Sequence, residues 1–223
     1  MKSGWKGAVR LKVNAEAMTL YAVTDRTWAK DVTLMEQVKQ ALEGGITFLQ
    51  LREKQLSEEK FIEEAQEMKR LAAEYKIPFV INDNIKVALE VGADGVHIGQ
   101  DDMSVEEARK LLGEDKVIGV SAHNVNEAIK AQKGGADYLG VGAVCATSTK
   151  KDANVVSKEE IKKIKEAVDI PIVAIGGIKK DNIDTLTGTG VDGVAVVSAI
   201  FGAKDITKNT KELLKIVKEM KQK

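Results

Sequence analysis

The chain has 223 residues, and its 34 Lys and Arg balance its 34 Asp and Glu, so the formal net charge at pH 7 is zero. This balance leaves no bulk field that would attract nucleic acid or an anionic membrane surface, so neither partner is expected. The single cysteine, Cys145, excludes an internal disulfide, and together with the lack of a signal peptide or a spanning apolar run it predicts a cytoplasmic protein.

One pattern recurs along the chain: an amphipathic segment ends at glycine, and a short β-branched run follows it. Gly44-Gly45, Gly92, Gly134-Gly135 and Gly190 all occupy this position. Glycine just past a helix supplies a left-handed C-terminal cap, after which a strand can start. The runs are almost continuously apolar, which is typical of parallel strands buried on both faces. The pattern predicts strands at residues 48–51, 95–98, 138–141 and 193–197. Similar apolar runs at 20–23, after Pro78 at 79–81, at 117–120 and after Pro171 at 172–175 bring the predicted number to eight.

Amphipathic helical segments separate these strands, as at residues 57–75. Eight strand–helix units in about 205 residues predict an α/β fold, a (β/α)8 TIM barrel of eight parallel strands formed by residues 19–223. A doubly wound open sheet is the alternative, because periodicity alone does not show that a sheet closes. Residues 1–18 precede the first strand and are expected to be an extra segment, helical or not, packed on the barrel.

The polar residues that follow each strand are the candidate functional residues, because the active site of such a barrel forms at the C-terminal ends of the strands. After the second strand, Gln50, Arg52 and Lys54 alternate with Leu51 and Glu53. Alternation predicts that the two cations share a face, where they would clamp an anion. The alternative is that each forms a surface ion pair with a nearby glutamate.

Carboxylates follow the next two strands, in Asn82-Asp83-Asn84 and in Gly99-Gln100-Asp101-Asp102. Neighbouring strands lie ~4.8 Å apart, so carboxylates at equivalent ends can share one hard cation. Oxygen ligands without histidine or thiolate favour Mg²⁺ over Zn²⁺. The alternative is that Asp101 or Asp102 caps the helix predicted at 105–112, although Ser104 is itself a competent cap.

The remaining strands are followed by hydroxyl- and glycine-rich segments. Ser121-Ala122-His123 offers a hydroxyl and an imidazole, and Thr147-Ser148-Thr149-Lys150-Lys151 offers hydroxyl donors and a cation, unless it is only a solvated loop. Gly176-Gly177-Ile178 and Val197-Ser198-Ala199-Ile200 offer the backbone N–H groups of a phosphate site. His97, within the fourth strand, is interpreted as a packed core residue rather than as an acid or base.

Taken together, these segments closely resemble the thiamine-phosphate synthase family. The resemblance covers nearly everything from Leu20 to Ile200, in order and at the family's spacing. Each motif alone is weak, but the eight together are specific. They are LYAVTD at 20–25, QLREK at 50–54, IND at 81–83, GVHIGQDD at 95–102, GVSAH at 119–123, TSTKKD at 147–152, AIGGI at 174–178 and GVAVVSAI at 193–200.

The resemblance implies a transferase with a (β/α)8 fold. The implied reaction is the Mg²⁺-dependent joining of 4-amino-2-methyl-5-(diphosphooxymethyl)pyrimidine to 4-methyl-5-(2-phosphooxyethyl)thiazole, with release of diphosphate. By position it assigns the pyrimidine diphosphate to Gln50, Arg52, Lys54, Asn82, Ser121 and Lys150, of which Arg52, Lys54, Ser121 and Lys150 are catalytic. Leu51, Glu53 and Ser148 are further implied substrate-binding residues, with neither substrate specified. The resemblance assigns Mg²⁺ to Asp83 and Asp102, and the thiazole phosphate to Thr147, Thr149, Gly177, Val197 and Ser198.

Two other functions are weighed against this one. Thiazole tautomerase relatives share the barrel and the phosphate site, but they are expected to lack the full set formed here by Arg52, Lys54, Asn82, Asp83 and Asp102. A non-catalytic phosphate-sensing barrel is the second. A phosphosugar epimerase or isomerase is disfavoured, because no suitable acid–base pair is present. The sequence leaves open a homo-oligomer, a contact of Asp101 with the metal, and a carboxylated thiazole substrate.

Overall fold

A computed structural model describes residues 13–30, 32–145 and 155–223 of the chain. Its eight strands are β1 (Leu20–Val23), β2 (Phe48–Leu51), β3 (Phe79–Asn82), β4 (Gly95–Ile98), β5 (Val117–Ala122), β6 (Tyr138–Gly142), β7 (Ile172–Ile175) and β8 (Gly193–Val196). All pairings are parallel, and the strands follow one another around the sheet in chain order until β8 pairs with β1. This closure confirms the predicted (β/α)8 barrel and excludes the open sheet.

The α-helices are α1 (Leu34–Gly44), α2 (Glu58–Glu74), α3 (Ile85–Val91), α4 (Val105–Leu112), α5 (Val125–Gly134), α6 (Lys158–Ala167), α7 (Ser198–Phe201) and α8 (Ile206–Gln222). The prediction of eight regular strand–helix units is wrong in one place, since β7 and β8 are joined by a 3-10 helix, Ile183–Leu186. Gly188 and Gly190 follow it with φ of 73° and 80°, which stops a helix from continuing. None of the helices in the described ranges combines the length and apolarity needed to cross a bilayer.

The segment before β1 is described from residue 13 onward, where it forms turns and not a helix. Val13 and Met18 are buried in the same cluster as Tyr21 and Val117. Residues 13–18 therefore pack at the N-terminal ends of the strands, while residues 1–12 of the predicted extension lie outside the described residues.

The core has two parts, because side chains alternate along each strand. One cluster fills the barrel interior and contains Phe48 and Tyr138. The other lies between the barrel and its helices and contains Leu51 and Phe61 of α2. Leu51 is fully buried there, so only its main chain is available to a ligand. The alternation predicted for Gln50 and Leu51 is thus observed.

Three of the four recurring glycine-containing segments before strands contain an aspartate that connects two strands. In each of these three the carboxylate accepts a hydrogen bond from a main-chain N–H in the strand preceding it in the chain. These bonds join Phe79 N to Asp94 Oδ2, Ile118 N to Asp137 Oδ2 and Ile172 N to Asp192 Oδ2, at 2.8 Å each. These three aspartates therefore hold neighbouring strands together at the N-terminal face of the barrel, and we call Asp94, Asp137 and Asp192 the carboxylate clasps.

Replacing one clasp tests this interpretation. Asp192 also binds Lys165 Nζ at 2.7 Å, so Asp192→Ala removes the acceptor of a main-chain N–H and the partner of a lysine. Loss of a charged hydrogen bond is expected to lower the free energy of unfolding by about 1.5–3 kcal/mol, measured by urea denaturation. Asp169→Ala is the control. Asp169 is an exposed carboxylate just before β7, the strand to which Asp192 is bound, and its replacement should change the free energy of unfolding by less than ~0.5 kcal/mol. Equal effects would contradict the clasp.

Candidate active site

One cavity opens at the C-terminal ends of the strands, as the barrel fold requires. It brings together seven of the residues proposed from the sequence, which come from the ends of five different strands. They are Gln50, Arg52, Asn82, Ser121, Gly177, Val197 and Ser198. Asp25, His97 and His123 also line it. Asp25 was not assigned a site role from the sequence, although it lies two residues after the end of β1.

Among the described residues that line this cavity, Arg52 is the one arginine or lysine. Its main-chain N–H donates to Thr24 Oγ1 at 2.9 Å, which fixes the end of β2 against β1. Its guanidinium lies 3.8 Å from a carboxylate oxygen of Asp25, and a third of its side chain is exposed. Such a long contact leaves the planar donor fork free to bind a phosphate group with two parallel hydrogen bonds.

Lys54 lies beside this cavity rather than on the same face as Arg52. Its Nζ binds Asp83 Oδ2 at 2.5 Å, and both residues line a neighbouring surface groove. The predicted common face of the two cations is wrong, because β2 ends at Leu51 and strand alternation does not extend to Lys54. Both cations do pair with carboxylates, but the partners are the strand-end residues Asp25 and Asp83 and not nearby glutamates.

The Glu53 carboxylate is used within its own loop. It accepts hydrogen bonds from the main-chain N–H groups of Lys54 and Gln55 at 2.7 Å and from Arg26 Nε at 2.8 Å. Partial burial alone would raise the pKa of Glu53, but these hydrogen bonds outweigh it and hold that pKa below its ordinary value. Glu53 therefore shapes the loop that carries Arg52 and Lys54.

The two proposed metal ligands are both anchored to the end of β4. Asp83 N donates to His97 O at 2.8 Å, and Asp102 Oδ2 accepts from Gly99 N at 2.7 Å. Asp83 has a left-handed backbone with φ of 59°, a conformation that aspartate and asparagine tolerate better than most residues. The two carboxylates follow neighbouring strands, but Asp83 lines the groove that contains Lys54, Asp102 lines a separate groove, and neither lines the cavity described above.

The capping alternative for Asp102 is excluded. Ser104 Oγ accepts from Glu107 N, and the Glu107 side chain binds back to Ser104, so a complete capping box begins α4. Among the described residues no three His, Cys, Asp or Glu side chains cluster as a potential metal site. Asp83 and Asp102 therefore remain a predicted pair of Mg²⁺ ligands and are not part of a larger cluster of such side chains in the described residues.

His97 is buried as the sequence indicates, but it also reaches the cavity. Its Nδ1 lies 3.0 Å from Tyr138 Oη and its Nε2 lies 3.1 Å from Ser121 Oγ. Tyr138 Oη lies 2.8 Å from Tyr21 Oη, which accepts from Gln50 Nε2 at 2.5 Å. A row of polar side chains therefore crosses the barrel interior and ends at the proposed catalytic residue Ser121.

The second histidine, His123, is held differently. Its Nδ1 lies 2.8 Å from Glu127 Oε2, and half of its side chain is exposed. Partial burial would raise the pKa of Glu127, but the hydrogen bonds from His123 outweigh it and lower that pKa.

The far side of the cavity is formed by the ends of β7 and β8. Gly176 and Gly177 have φ of 97° and 69°, so the turn after β7 requires residues without a side chain. Val197 precedes the short helix α7, and Ser198 is its first residue. The remaining predicted residues, Thr147 to Lys150, lie outside the described residues.

Comparison with known proteins gives one consistent result. The family model described as thiamine monophosphate synthase matches residues 20–200. The thiamine-phosphate synthase of Clostridium acetobutylicum is 50% identical over 200 residues, which is 90% of this chain and 95% of the relative. That of Ruminiclostridium cellulolyticum is 51% identical over 198 residues, which is 89% of this chain and 94% of the relative.

A solved structure agrees with these matches. The thiamine phosphate pyrophosphorylase from Pyrococcus furiosus superposes with a TM-score of 0.85 at 44% identity, over 92% of this chain and 98% of its own. A pyrophosphorylase of the same name from Bacteroides thetaiotaomicron, at 20% identity and a TM-score of 0.65, shares the fold. The family match covers most of the chain and the relatives are aligned over nearly their whole length, so the chain belongs to the thiamine monophosphate synthase family and is a transferase.

Proposed function

We propose that this chain is a thiamine-phosphate synthase that joins the pyrimidine diphosphate to the thiazole phosphate and releases diphosphate. The observation that carries the proposal is a cavity at the strand ends whose two ends differ in their lining. Arg52, Asn82 and Ser121 line one end, whereas the glycine turn at Gly177 and the start of α7 at Ser198 line the other. Two phosphorylated substrates placed at these two ends would meet over the barrel axis.

The proposed reaction requires stabilisation of negative charge at the end of the cavity that Arg52 lines. Breaking the C–O bond leaves the electron pair on diphosphate and a cation on the pyrimidinylmethyl group, which the aminopyrimidine ring delocalises. The thiazole nitrogen then supplies its lone pair to form the C–N bond. No proton has to be removed, so the step needs no general base. Negative charge grows on the leaving diphosphate, where the Arg52 guanidinium stabilises it more in the transition state than in the bound substrate.

The donor set fits a hard divalent cation. Asp83 and Asp102 would hold Mg²⁺ beside the diphosphate, and bound Mg²⁺ would neutralise part of the charge that develops there. Asp83 is paired with Lys54 in this structure, so Mg²⁺ binding at Asp83 would replace that ion pair and leave the Lys54 ammonium free to bind diphosphate oxygens.

A turnover experiment tests the function directly. We expect diphosphate release that requires both substrates and Mg²⁺ together. Consumption of the thiazole substrate without the pyrimidine would instead indicate a tautomerase. Tight binding of both compounds without turnover would indicate a phosphate-sensing barrel.

A substitution at Ser198 tests where the thiazole phosphate binds. Ser198→Asp would place a carboxylate against that phosphate and is expected to raise the KM for the thiazole substrate by ~10- to 100-fold through like-charge repulsion. Ser198→Asn introduces a side chain of the same size as aspartate but without its charge, and this variant should raise the KM for the thiazole substrate much less. The KM for the pyrimidine diphosphate should stay nearly constant. Equal increases in both KM values would contradict the proposed division of the cavity.

A further inference from the structure

The donors and acceptors of the polar row can be assigned from its Gln50 end. The Gln50 amide nitrogen can only donate, so Tyr21 Oη accepts that hydrogen bond. The geometry of the Tyr21–Tyr138 bond allows either hydroxyl to donate, but among the described residues Tyr138 Oη is the acceptor left for the single proton of Tyr21. Tyr138 Oη, having accepted, donates to His97 Nδ1. Neutral imidazole carries one N–H, which must then be on Nε2 and donate to Ser121 Oγ. The only proton of the Ser121 hydroxyl is left to point into the cavity.

The members of this row are held firmly in place. Gln50, Tyr21, Tyr138 and His97 are all buried, and Phe48 packs edge-on against both tyrosine rings, with centroid distances of 4.6 and 5.5 Å. Burial raises the pKa of both tyrosines above that of an ordinary phenol, so both keep the proton that the row requires.

Two glycines make room for the rings. A Cβ at Gly119 would lie 2.0 Å from Tyr138 Cζ, and one at Gly140 would lie 3.1 Å from His97 Cε1. Strands β5 and β6 therefore carry glycine where the row passes, and the rings fill the space that side chains would occupy. Such close packing leaves the hydroxyl of Tyr138 and the imidazole of His97 with little freedom to change partners.

We propose that Tyr138 is a positioning residue for catalysis. It holds His97 as the Nε2–H tautomer, so that Ser121 is a hydrogen-bond donor to the bound pyrimidine diphosphate. In the opposite tautomer Ser121 would donate to His97 and present a lone pair to a ligand rich in acceptor atoms. This role rests on the proposed function, because it needs a substrate acceptor at Ser121.

The first test reads the tautomer without turnover. The chain has only two histidines, so imidazole ¹⁵N NMR spectra are simple, and a His123→Gln sample assigns the His97 signals. At about pH 8, where an ordinary imidazole is neutral, the unmodified protein should show His97 protonated on Nε2. In Tyr138→Phe, which removes one buried hydroxyl and keeps the ring, a substantial Nδ1–H population should appear. An unchanged tautomer in this variant would overturn the proposal.

The second test asks whether Tyr138 acts through Ser121. Tyr138→Phe should lower kcat about 10-fold, as expected for one lost or misdirected hydrogen bond, with a smaller change in the KM for the thiazole substrate. Adding it to Ser121→Ala should cause no further loss, because the group that it positions is already absent. Tyr75→Phe, the same change at an exposed tyrosine outside the barrel, is the matched control and should leave kcat unchanged.

The outcomes separate this inference from the proposed function. If the unmodified protein releases no diphosphate, the proposed function fails and the catalytic role of Tyr138 fails with it, whereas the NMR spectra still decide the tautomer. If it turns over normally and Tyr138→Phe does too, only the positioning role is wrong. Independent, multiplicative losses in the double variant would also overturn the action through Ser121.

Discussion

Replacing Arg52 with alanine is expected to lower kcat for diphosphate release by a factor of about 10²–10³, the range found for the loss of one electrostatic donor to a developing charge. The guanidinium lines the cavity and is tied only loosely to Asp25, at 3.8 Å. Its charge is therefore available to the leaving group. Because the interaction strengthens as negative charge grows on diphosphate, kcat should fall more than the KM for the pyrimidine diphosphate rises.

Two controls separate charge, shape and stability in this experiment. Arg52→Lys keeps the charge but replaces the planar fork with a point donor, so it should recover only part of the lost rate. Arg70→Ala removes an exposed arginine on α2 and should leave kcat unchanged. Near-normal turnover by Arg52→Ala would show that diphosphate does not leave at this end of the cavity.

The second large effect is expected at Asp83. Asp83→Asn should lower activity by about 100-fold at a fixed low Mg²⁺ concentration and should be only partly rescued by more Mg²⁺, because one of two carboxylate ligands is lost. Asparagine is the better substitute than alanine, since it tolerates the left-handed backbone at φ of 59° and avoids adding a strain of roughly 1 kcal/mol. The measurements are kcat as a function of Mg²⁺ concentration and Mn²⁺ binding by electron paramagnetic resonance.

A charge-matched control accompanies this variant. Asp169→Asn removes an exposed carboxylate at the opposite end of β7 from the cavity and should leave both the Mg²⁺ dependence and Mn²⁺ binding unchanged. Normal activity of the unmodified protein in excess EDTA, or unchanged Mn²⁺ binding by Asp83→Asn, would show that the metal assignment is wrong.

The strands and the barrel were predictable because local signals repeat. A glycine cap followed by a β-branched run marks the starts of β2, β4, β6 and β8, apolar runs mark the other strands, and β1, β2, β4 and β7 have the predicted bounds. The connection from β7 to β8 was not predictable in the same way. Its helical segment is cut short by Gly188 and Gly190, and single glycines in a polar stretch do not distinguish a 3-10 helix from an α-helix.

The sequence was sufficient to predict which strand ends carry the site residues, but not which of their side chains contact one another. Alternation places Gln50 inward, but it cannot be carried into the loop that holds Lys54, where the chain has left the sheet. The polar row was missed for a different reason. Tyr21 lies on β1 and Tyr138 on β6, which are not neighbours in the sheet. Their hydroxyl groups meet only because the sheet closes and the two side chains cross the lumen.

The carboxylate clasps of Asp94, Asp137 and Asp192 have a consequence for laboratory evolution of this protein. They hold strands at the face of the barrel opposite the cavity, so the residues that secure the scaffold are spatially separate from those that contact substrates. Libraries that randomise the loops after the strands should therefore retain a high fraction of folded members. Libraries that randomise the segments before the strands should lose most of theirs before any new substrate can be selected.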